Sequence, residues 1–329
     1  MLTEGFQRPL PMTKISIAIP AYNSEPCLRE TLESALAQTY PAHEIVVVDD
    51  GSKDRTEDIA RSYGDRIRYI KQENTGIAGA RNRAIQEATG DWIAFLDHDD
   101  LILPDKLEKQ VALIEANPNL VVVYSTFKYL YTDGSTNKVP VFPAKELWPA
   151  IRYRTPILPS TSIIRRSAIQ EIGGFSTDPR LRMIDDWDMW FRMVRRYSSD
   201  AFQEIPESLT LYRWWENNAS KSFIPLAANV LGLLDRSLLN DLSGITKTIW
   251  KRRIEARVYY RLALSMREAQ NERYWEFAVE SFCKWPMWGT IVPFERYRVL
   301  AHMLLTRLRN FRFDLRYWWP KRDCRNLIG

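Results

Sequence analysis

Two apolar runs of strand length, ISIAIP (Ile15–Pro20) and EIVVVDD (Glu44–Asp50), bracket a helix-patterned stretch, and this spacing limits the fold more than any other feature of the chain. The second run is β-branched through its centre, as suits a strand buried on both faces. IRYIKQ and WIAFLD supply two more such runs, with helical patterns at Glu25–Gln38, Asp54–Tyr63 and Ile77–Thr89 between them. Short connections between alternating strands and helices predict right-handed βαβ units and an α/β fold with a mainly parallel sheet flanked by helices. Asp54 and Glu57 have the spacing of a capping pair, and Gly90 stands where a helix C-terminus takes a left-handed residue.

Farther along, Asp105–Ala116 reads as a helix, LVVVYSTF (Leu120–Phe127) as a strand and YTDGSTNK as a polar turn. From about Phe223 the strands stop. ANVLGLLDRSLLNDL, IWKRRIEARVYYRLALSMREAQ and YWEFAVESFCKW all carry apolar residues at helical spacing. The expected organisation is an N-terminal arm (1–13), an α/β domain (14–220) and a helical basic and aromatic C-terminal region (221–329). Charge divides at the same place. Met1–Ser220 has 26 Lys/Arg against 31 Asp/Glu, a net −5, and the remaining 20 basic and 10 acidic residues give +10, which sum to the chain's +5.

Composition excludes several classes. No run approaches the roughly 18–20 apolar residues of a membrane helix. MLTEGFQRPLPMT lacks the apolar core of a secretory signal. Three cysteines, widely separated and without CxxC spacing, argue against a disulfide framework or structural zinc and point to the cytoplasm.

In a parallel α/β sheet, ligands bind beyond the carboxyl ends of the strands, and the polar residues cluster there. The first strand ends in PAYNSE; Pro20, Asn23 and Ser24 suit a turn and caps, and Tyr22 offers a ring that can stack on a base. The second ends in DDGSKD, where Asp49 and Asp50 serve a turn or accept hydrogen bonds from a ribose or a uracil N–H. In NTGIAGARNRAI, Gly76 and Gly79 allow close approach to a phosphate at a helix N-terminus, without GxGxxG or GK[ST] spacing. Arg81 could contact phosphate or hold an acidic cluster.

That cluster is LDHDD. Asp97 and Asp99 flank one residue, a spacing that lets two carboxylates share a divalent cation, Mn2+ or Mg2+. Asp100 suits a loop start. In RMIDDWDMWFRMVRRY, Trp187, Trp190, Phe191 and Val194 mark an amphipathic helix opening at Asp185 or Asp186. Acidic residues there serve as caps, or one acts as a general base.

Taken together, IPAYNSE, VVVDDGSKDRT, NTGIAGARNRAI, GDWIAFLDHDD, GGF (Gly173–Phe175) and DDWDMWFR resemble, in order and spacing, the family 2 glycosyltransferases. The resemblance covers about Ile15–Ser220. It implies a GT-A fold and an inverting transfer of one sugar from a nucleotide-sugar donor, UDP foremost, to a hydroxyl of a glycan or lipid-linked acceptor in cell-surface polysaccharide synthesis. It implies that Pro20, Ala21 and Tyr22 wall the base, with Asp50 and Asp49 recognising uracil or ribose. Gly76 and Arg81 would lie near the phosphates. DHD matches the DXD motif, with Asp99 the direct metal ligand and Asp97 and His98 lining the ribose–diphosphate region, Asp97 also assisting the metal. Asp186 would be the catalytic base, with Asp185 where relatives commonly have Glu, and Trp187 would border the acceptor. After Tyr212 and Arg213, Trp215 stands near the position where the family often has histidine. The QxxRW of processive synthases is missing.

Residues 288–329 mix nine Lys/Arg with five Phe/Tyr and three Trp. They read as a helical extension packed on the domain or as a peripheral contact with anionic membrane, at the inner face of the membrane. No nucleic-acid motif supports nucleic-acid binding. Two other functions remain as alternatives: a non-catalytic nucleotide-sugar-binding module, which predicts a damaged DXD, and a sugar nucleotidyltransferase, which predicts a Gly-rich basic first loop.

Overall fold

The computed structural model describes residues 12–214, 223–234, 238–271, 273–286 and 301. The chain divides into two compact units, one of Met1–Leu147, Ile157–Phe175 and Met193–Trp214, the other of Trp148–Pro156, Ser176–Arg192 and Trp215–Gly329.

The first unit contains the sheet. Elements β1 (Ile15–Ala21), α1 (Leu28–Leu36), β2 (Glu44–Asp49), α2 (Thr56–Arg61), β3 (Arg68–Lys71), α3 (Ile77–Glu87) and β4 (Trp92–Phe95) follow the alternation expected from the sequence. β1 pairs with β2 and β4, and β2 with β3, all in parallel. Val46, Val47 and Val48 are completely buried, which is why β2 has no polar face. β3 lies at one edge and exposes Arg68 and Lys71, charges that discourage pairing with another chain. Ile17, Leu32, Val47, Ala94, Leu107 and Val111 belong to one apolar core.

Beyond β4 the sheet becomes mixed. The chain continues through β5 (Leu101–Ile102), α4 (Lys106–Ala116), β6 (Val122–Tyr131), β7 (Thr136–Lys138), α5 (Leu147–Ala150), β8 (Ser162–Arg165), α6 (Arg166–Glu171), α7 (Asp185–Tyr197) and β9 (Phe202–Trp214). The strand order is β3-β2-β1-β4-β8-β6-β9-β5, with β7 on β6. β8 runs antiparallel between β4 and β6, and β9 lies parallel to β6. Ser125 pairs with Ile205 and Thr126 with Ser208, so Pro206 and Glu207 bulge out of the ladder. A residue without an N–H is tolerated there because it is asked for no ladder bond.

Three local expectations change. YTDGSTNK is more than a turn: its end forms β7, and Gly134 takes φ 79 in the hairpin loop. Gly90 is not a left-handed cap. A Cβ there would lie 2.7 Å from Ser16 N and 2.8 Å from Lys14 O, so close approach to β1 excludes a side chain. Asp54 does not share a capping box with Glu57. Its carboxylate accepts the N–H groups of Thr56 (3.0 Å) and Glu25 (2.9 Å), while Glu57 pairs with Arg61 and Lys71.

After β9, the described part of the second unit is mainly helical, with α8 (Phe223–Leu233), α9 (Gly244–Glu268) and α10 (Tyr274–Lys284). Ser281 donates to the Ala256 carbonyl at 2.6 Å, joining α10 to α9. Arg152 is buried over the Trp148 ring and forms a bidentate pair with Asp241. No described helix is long and apolar enough to cross a membrane. Residues 288–329, except 301, lie outside the described residues, so their proposed membrane role has no structural counterpart here.

Candidate active site

β4 stops at Phe95, and Leu96–Asp100 leaves the sheet as a tight acidic turn before β5. Its backbone is held from three sides. The Asp100 N–H closes on the Asp97 carbonyl at 3.0 Å. The Thr31 hydroxyl, on α1, lies 2.8 Å from the His98 carbonyl oxygen and 2.9 Å from that of Asp100. Ser160 Oγ accepts the Asp97 N–H at 3.1 Å and hydrogen-bonds the Asp100 side chain. From β9, Arg213 donates its backbone N–H to Asp100 Oδ1 (3.2 Å) and its Nε–H to the Asp99 carbonyl (2.9 Å), and its Nη2 reaches Glu30 at 2.6 Å.

The side chains of the turn differ in their commitments. Asp97 Oδ1 receives Arg81 Nη2 at 2.7 Å, and Arg81, 4% exposed, lies 5.2 Å from the centre of the Phe175 ring. Arg81 is thereby paired with the first carboxylate of the acidic cluster. Burial above all raises the Asp99 carboxyl above its ordinary range, and the Asp97 charge adds to this while His98 and Arg213 oppose it. Burial, then the charges of Asp99 and Asp97, push Asp100 well above that range. Asp100 Oδ2 is buried without a hydrogen-bond partner.

This arrangement fits a hard divalent cation. Crowded carboxylate oxygens with an unsatisfied buried acceptor supply the ligand chemistry of Mn2+ or Mg2+. Among the described residues, no group of three or more His, Cys, Asp or Glu side chains is arranged to hold a metal by itself. Such a cation would take its remaining ligands from water and phosphate oxygens, as Mg2+ commonly does.

The neighbouring strand ends complete the candidate donor side. Pro20 and Ala21 end β1, and Tyr22 follows 44% exposed, its N–H donated to Ser24 Oγ at 3.0 Å. Asp49 is fully buried and accepts from Ser52 N (2.8 Å) and the Tyr69 hydroxyl (2.5 Å). Asp50 Oδ1 accepts from Gln72 Nε2 (2.7 Å) and Thr75 N (2.8 Å), and Oδ2 from Gly76 N (2.8 Å). Asp50 therefore organises the 72–76 loop at the start of α3. Gly76 is needed there for its φ of 82, with open space around its Cα.

Helix α7 opens at Asp185, as its sequence pattern requires, and Trp187, Trp190, Phe191 and Val194 are buried along it. Asp185 is 3% exposed, and Asp186 Oδ1 accepts the Trp187 N–H at 2.7 Å. Trp187 is 7% exposed and donates its indole N–H to the Ile151 carbonyl at 2.5 Å. Asp188 is tied to Arg192 at 2.8 Å. Asp185, Asp186 and Trp187 belong to the second unit, whereas the acidic turn belongs to the first.

Sequence reasoning missed several supports. Thr31 and Ser160 lie far from the turn in the chain, and neither belongs to a charged motif. Asn82 donates to the Phe175 carbonyl and accepts the Phe175 N–H, both at 2.8 Å, which pins the GGF turn to α3. No sequence signal singled them out: Thr31 stands between Glu30 and Leu32 in a charged helix, Asn82 between Arg81 and Arg83, and Ser160 in an uncharged run of small residues.

A parallel α/β half with an acidic turn at the end of β4, extended by a mixed antiparallel part, defines the GT-A class of glycosyltransferase folds. Similar solved structures include S. aureus TarS 1-349 in complex with UDP-GlcNAc, with a TM-score of 0.60 and 20% identity over 87% of this chain and 83% of that one. Another is the Pyrobaculum calidifontis mannosyltransferase PcManGT in complex with GDP-Man and Mn2+, with a TM-score of 0.56 and 19% identity over 92% and 83% of the two chains. Residues 16–173 match glycosyl transferase family 2. An uncharacterized glycosyltransferase of Haemophilus influenzae is 32% identical over 213 residues, 63% of this chain and 71% of the relative. The chain belongs to glycosyl transferase family 2, a family of transferase enzymes. Its match to an uncharacterized Rickettsia typhi glycosyltransferase is 36% identical over 190 residues, 55% of this chain, and spans 58% of that relative's length.

Proposed function

We propose that the chain transfers one sugar, with inversion, from a nucleotide-diphosphate donor to a hydroxyl of a glycan or lipid-linked acceptor in cell-surface polysaccharide synthesis. UDP is the favoured nucleotide. The observation that carries this reading is the braced acidic turn at the carboxyl end of β4, beside the polar ends of β1 and β2. The UDP-GlcNAc and the GDP-Man with Mn2+ in the two similarly folded proteins support it.

Tyr22, exposed at the end of β1, stacks on the base, and Asp50 and Asp49 hold the loops that border it. Asp99 and Asp97 hold the divalent cation, Asp99 directly and Asp97 kept in place by Arg81. The cation's chemistry is charge compensation for the departing diphosphate. Asp186 takes the proton from the acceptor hydroxyl, with Asp185 as the neighbouring acid. Attack from the face opposite the leaving group inverts the anomeric centre. The catalytic domain is assigned to 14–220. Residues 221–329 are the chain's helical basic and aromatic C-terminal region, and peripheral contact with anionic membrane is assigned to 288–329, with the reaction at the inner face of the membrane.

The experiment is a panel of nucleotide-sugars with Mn2+, read first as thermal stabilisation, because a ligand that binds the folded state raises the melting temperature by mass action. The stabilising donors then go into a product assay. Release of the nucleoside diphosphate with a glycosylated product supports the proposal. Pyrophosphate release would identify a nucleotidyltransferase, and donor binding without turnover on any acceptor would leave a binding module.

A further inference from the structure

Helix α7 opens from a strained backbone. Met183, two residues before Asp185, has φ 68, in the left-handed region that a residue with a Cβ enters only at a cost in free energy. Such a conformation persists where its surroundings over-determine it. The Ile184 N–H closes on the Leu181 carbonyl at 3.0 Å, and the Ile184 carbonyl accepts the Asp188 N–H at 3.1 Å in the first turn of the helix. The residue before Met183 is held from outside the turn. Asn229, on α8, donates its Nδ2–H to the Arg182 carbonyl at 2.6 Å.

The far side of Asp186 is fixed separately. The buried Trp187 is tied through its indole N–H to the Ile151 carbonyl. Arg152, the next residue, donates to the Leu238 carbonyl at 2.5 Å and to Asp241 Oδ1 at 2.8 Å. One turn farther along α7, Phe191 stacks on Trp148 with ring centres 6.0 Å apart. All of these residues belong to the second unit. Between the two anchors, Asp185 is buried and Asp186 half-buried, so Asp186 is the more accessible carboxylate. Its Oδ1 accepts the Trp187 N–H, so the carboxylate moves with the backbone of the helix opening. A general base must stay within hydrogen-bond reach of the proton it takes, and a displacement of about 1 Å costs on the order of hundredfold in rate.

We propose that Asn229 is a positioning residue for proton transfer: through the Arg182 carbonyl it holds the left-handed turn at Met183, and with it the placing of the Asp186 carboxylate. The inference rests on the reading of Asp186 as the base. It gives α8, in the C-terminal region, a part in the reaction.

The test uses the full chain and two variants. Asn229→Ala removes the donor, and Asn229→Asp keeps the side chain's size but puts an acceptor-only carboxylate in place of the amide. Hydrogen exchange of the 181–188 amides, read without substrate, should quicken about tenfold in both, the worth of one hydrogen bond. UDP affinity in the presence of Mn2+ should stay within about twofold. The kcat for UDP release from UDP-GlcNAc, or from whichever sugar of the panel is turned over, should fall about ten- to hundredfold. Unchanged exchange would overturn the proposal, as would a wild-type kcat despite faster exchange. A loss in Asn229→Ala that is absent in Asn229→Asp would assign the effect to packing and overturn it as well; if Asn229→Ala folds poorly, Asn229→Asp decides. Asp186→Asn separates the two readings: normal turnover there removes the base itself, whereas turnover lost there and kept in both Asn229 variants removes only this inference.

Discussion

Replacing Lys106 with methionine would take an ammonium out of the core of the α/β unit. Lys106 opens α4, is completely buried, and its Nζ has one described hydrogen bond, to Gln110 Oε1 at 3.2 Å. Burial alone pushes its pKa from 10.5 down to about 7. A base with a folded pKa below its unfolded one costs stability wherever the unfolded chain binds the extra proton. The cost is therefore complete below pH 7, shrinks as pH rises from about 7 to 10.5, and is gone above that. At 1.36 kcal/mol per unit, a fall of about 3.5 units amounts to about 5 kcal/mol as an upper bound. Methionine fills nearly the same volume but leaves Gln110 Oε1 without its donor, which returns about 1–3 kcal/mol. The net gain below pH 7 is then about 2–4 kcal/mol, or roughly 4–16 °C at 2–4 °C per kcal/mol for a unit of this size.

Calorimetric melting of wild type and Lys106→Met at pH 6 and pH 9.5 tests this. The variant should melt higher at pH 6, and the gap should close toward pH 9.5. A variant that melts lower at pH 6, or a gap independent of pH, would refute the assignment of a buried and nearly uncompensated lysine.

Asp186→Asn should lower turnover by about 10²–10⁴-fold, the usual worth of a general base, while UDP affinity measured by calorimetry stays within about twofold; normal turnover removes Asp186 from that role. Asp99→Ala should weaken Mn2+-dependent donor binding at least about tenfold, and transfer that persists undiminished in excess chelator would contradict any metal requirement. Gly90→Ala should destabilise the α/β unit by about 1–3 kcal/mol, because the new Cβ meets the backbone of Lys14 and Ser16; an unchanged melting temperature would show that the two segments can separate at little cost.

The legible parts of the molecule share one property: each is encoded within a short stretch. β1 and β2, the helices between the first four strands, and the opening of α7 at Asp185 follow from residue type and period. The strands β8 and β9 were hidden for opposite reasons. Ser162–Arg165 is too short to show a period, and Phe202–Trp214 contains a proline that only the bulge opposite β6 makes acceptable. The nature of Gly90 was misread because its constraint is a neighbouring strand rather than its own backbone angle.

The sequence by itself determined the α/β alternation, the acidic turn and the order of motifs that marks a family 2 glycosyltransferase, since local period and residue chemistry survive without knowledge of neighbours. Only the tertiary structure decided what each carboxylate is committed to. Asp97 is engaged by Arg81, Asp50 by the 72–76 loop, and Asp100 by Ser160 and Arg213, partners that lie from 16 to 113 positions away in the chain. Burial and hydrogen-bond partners, not residue identity, set whether an acid is a structural brace or a ligand, and both come from contacts between segments that the linear pattern leaves independent.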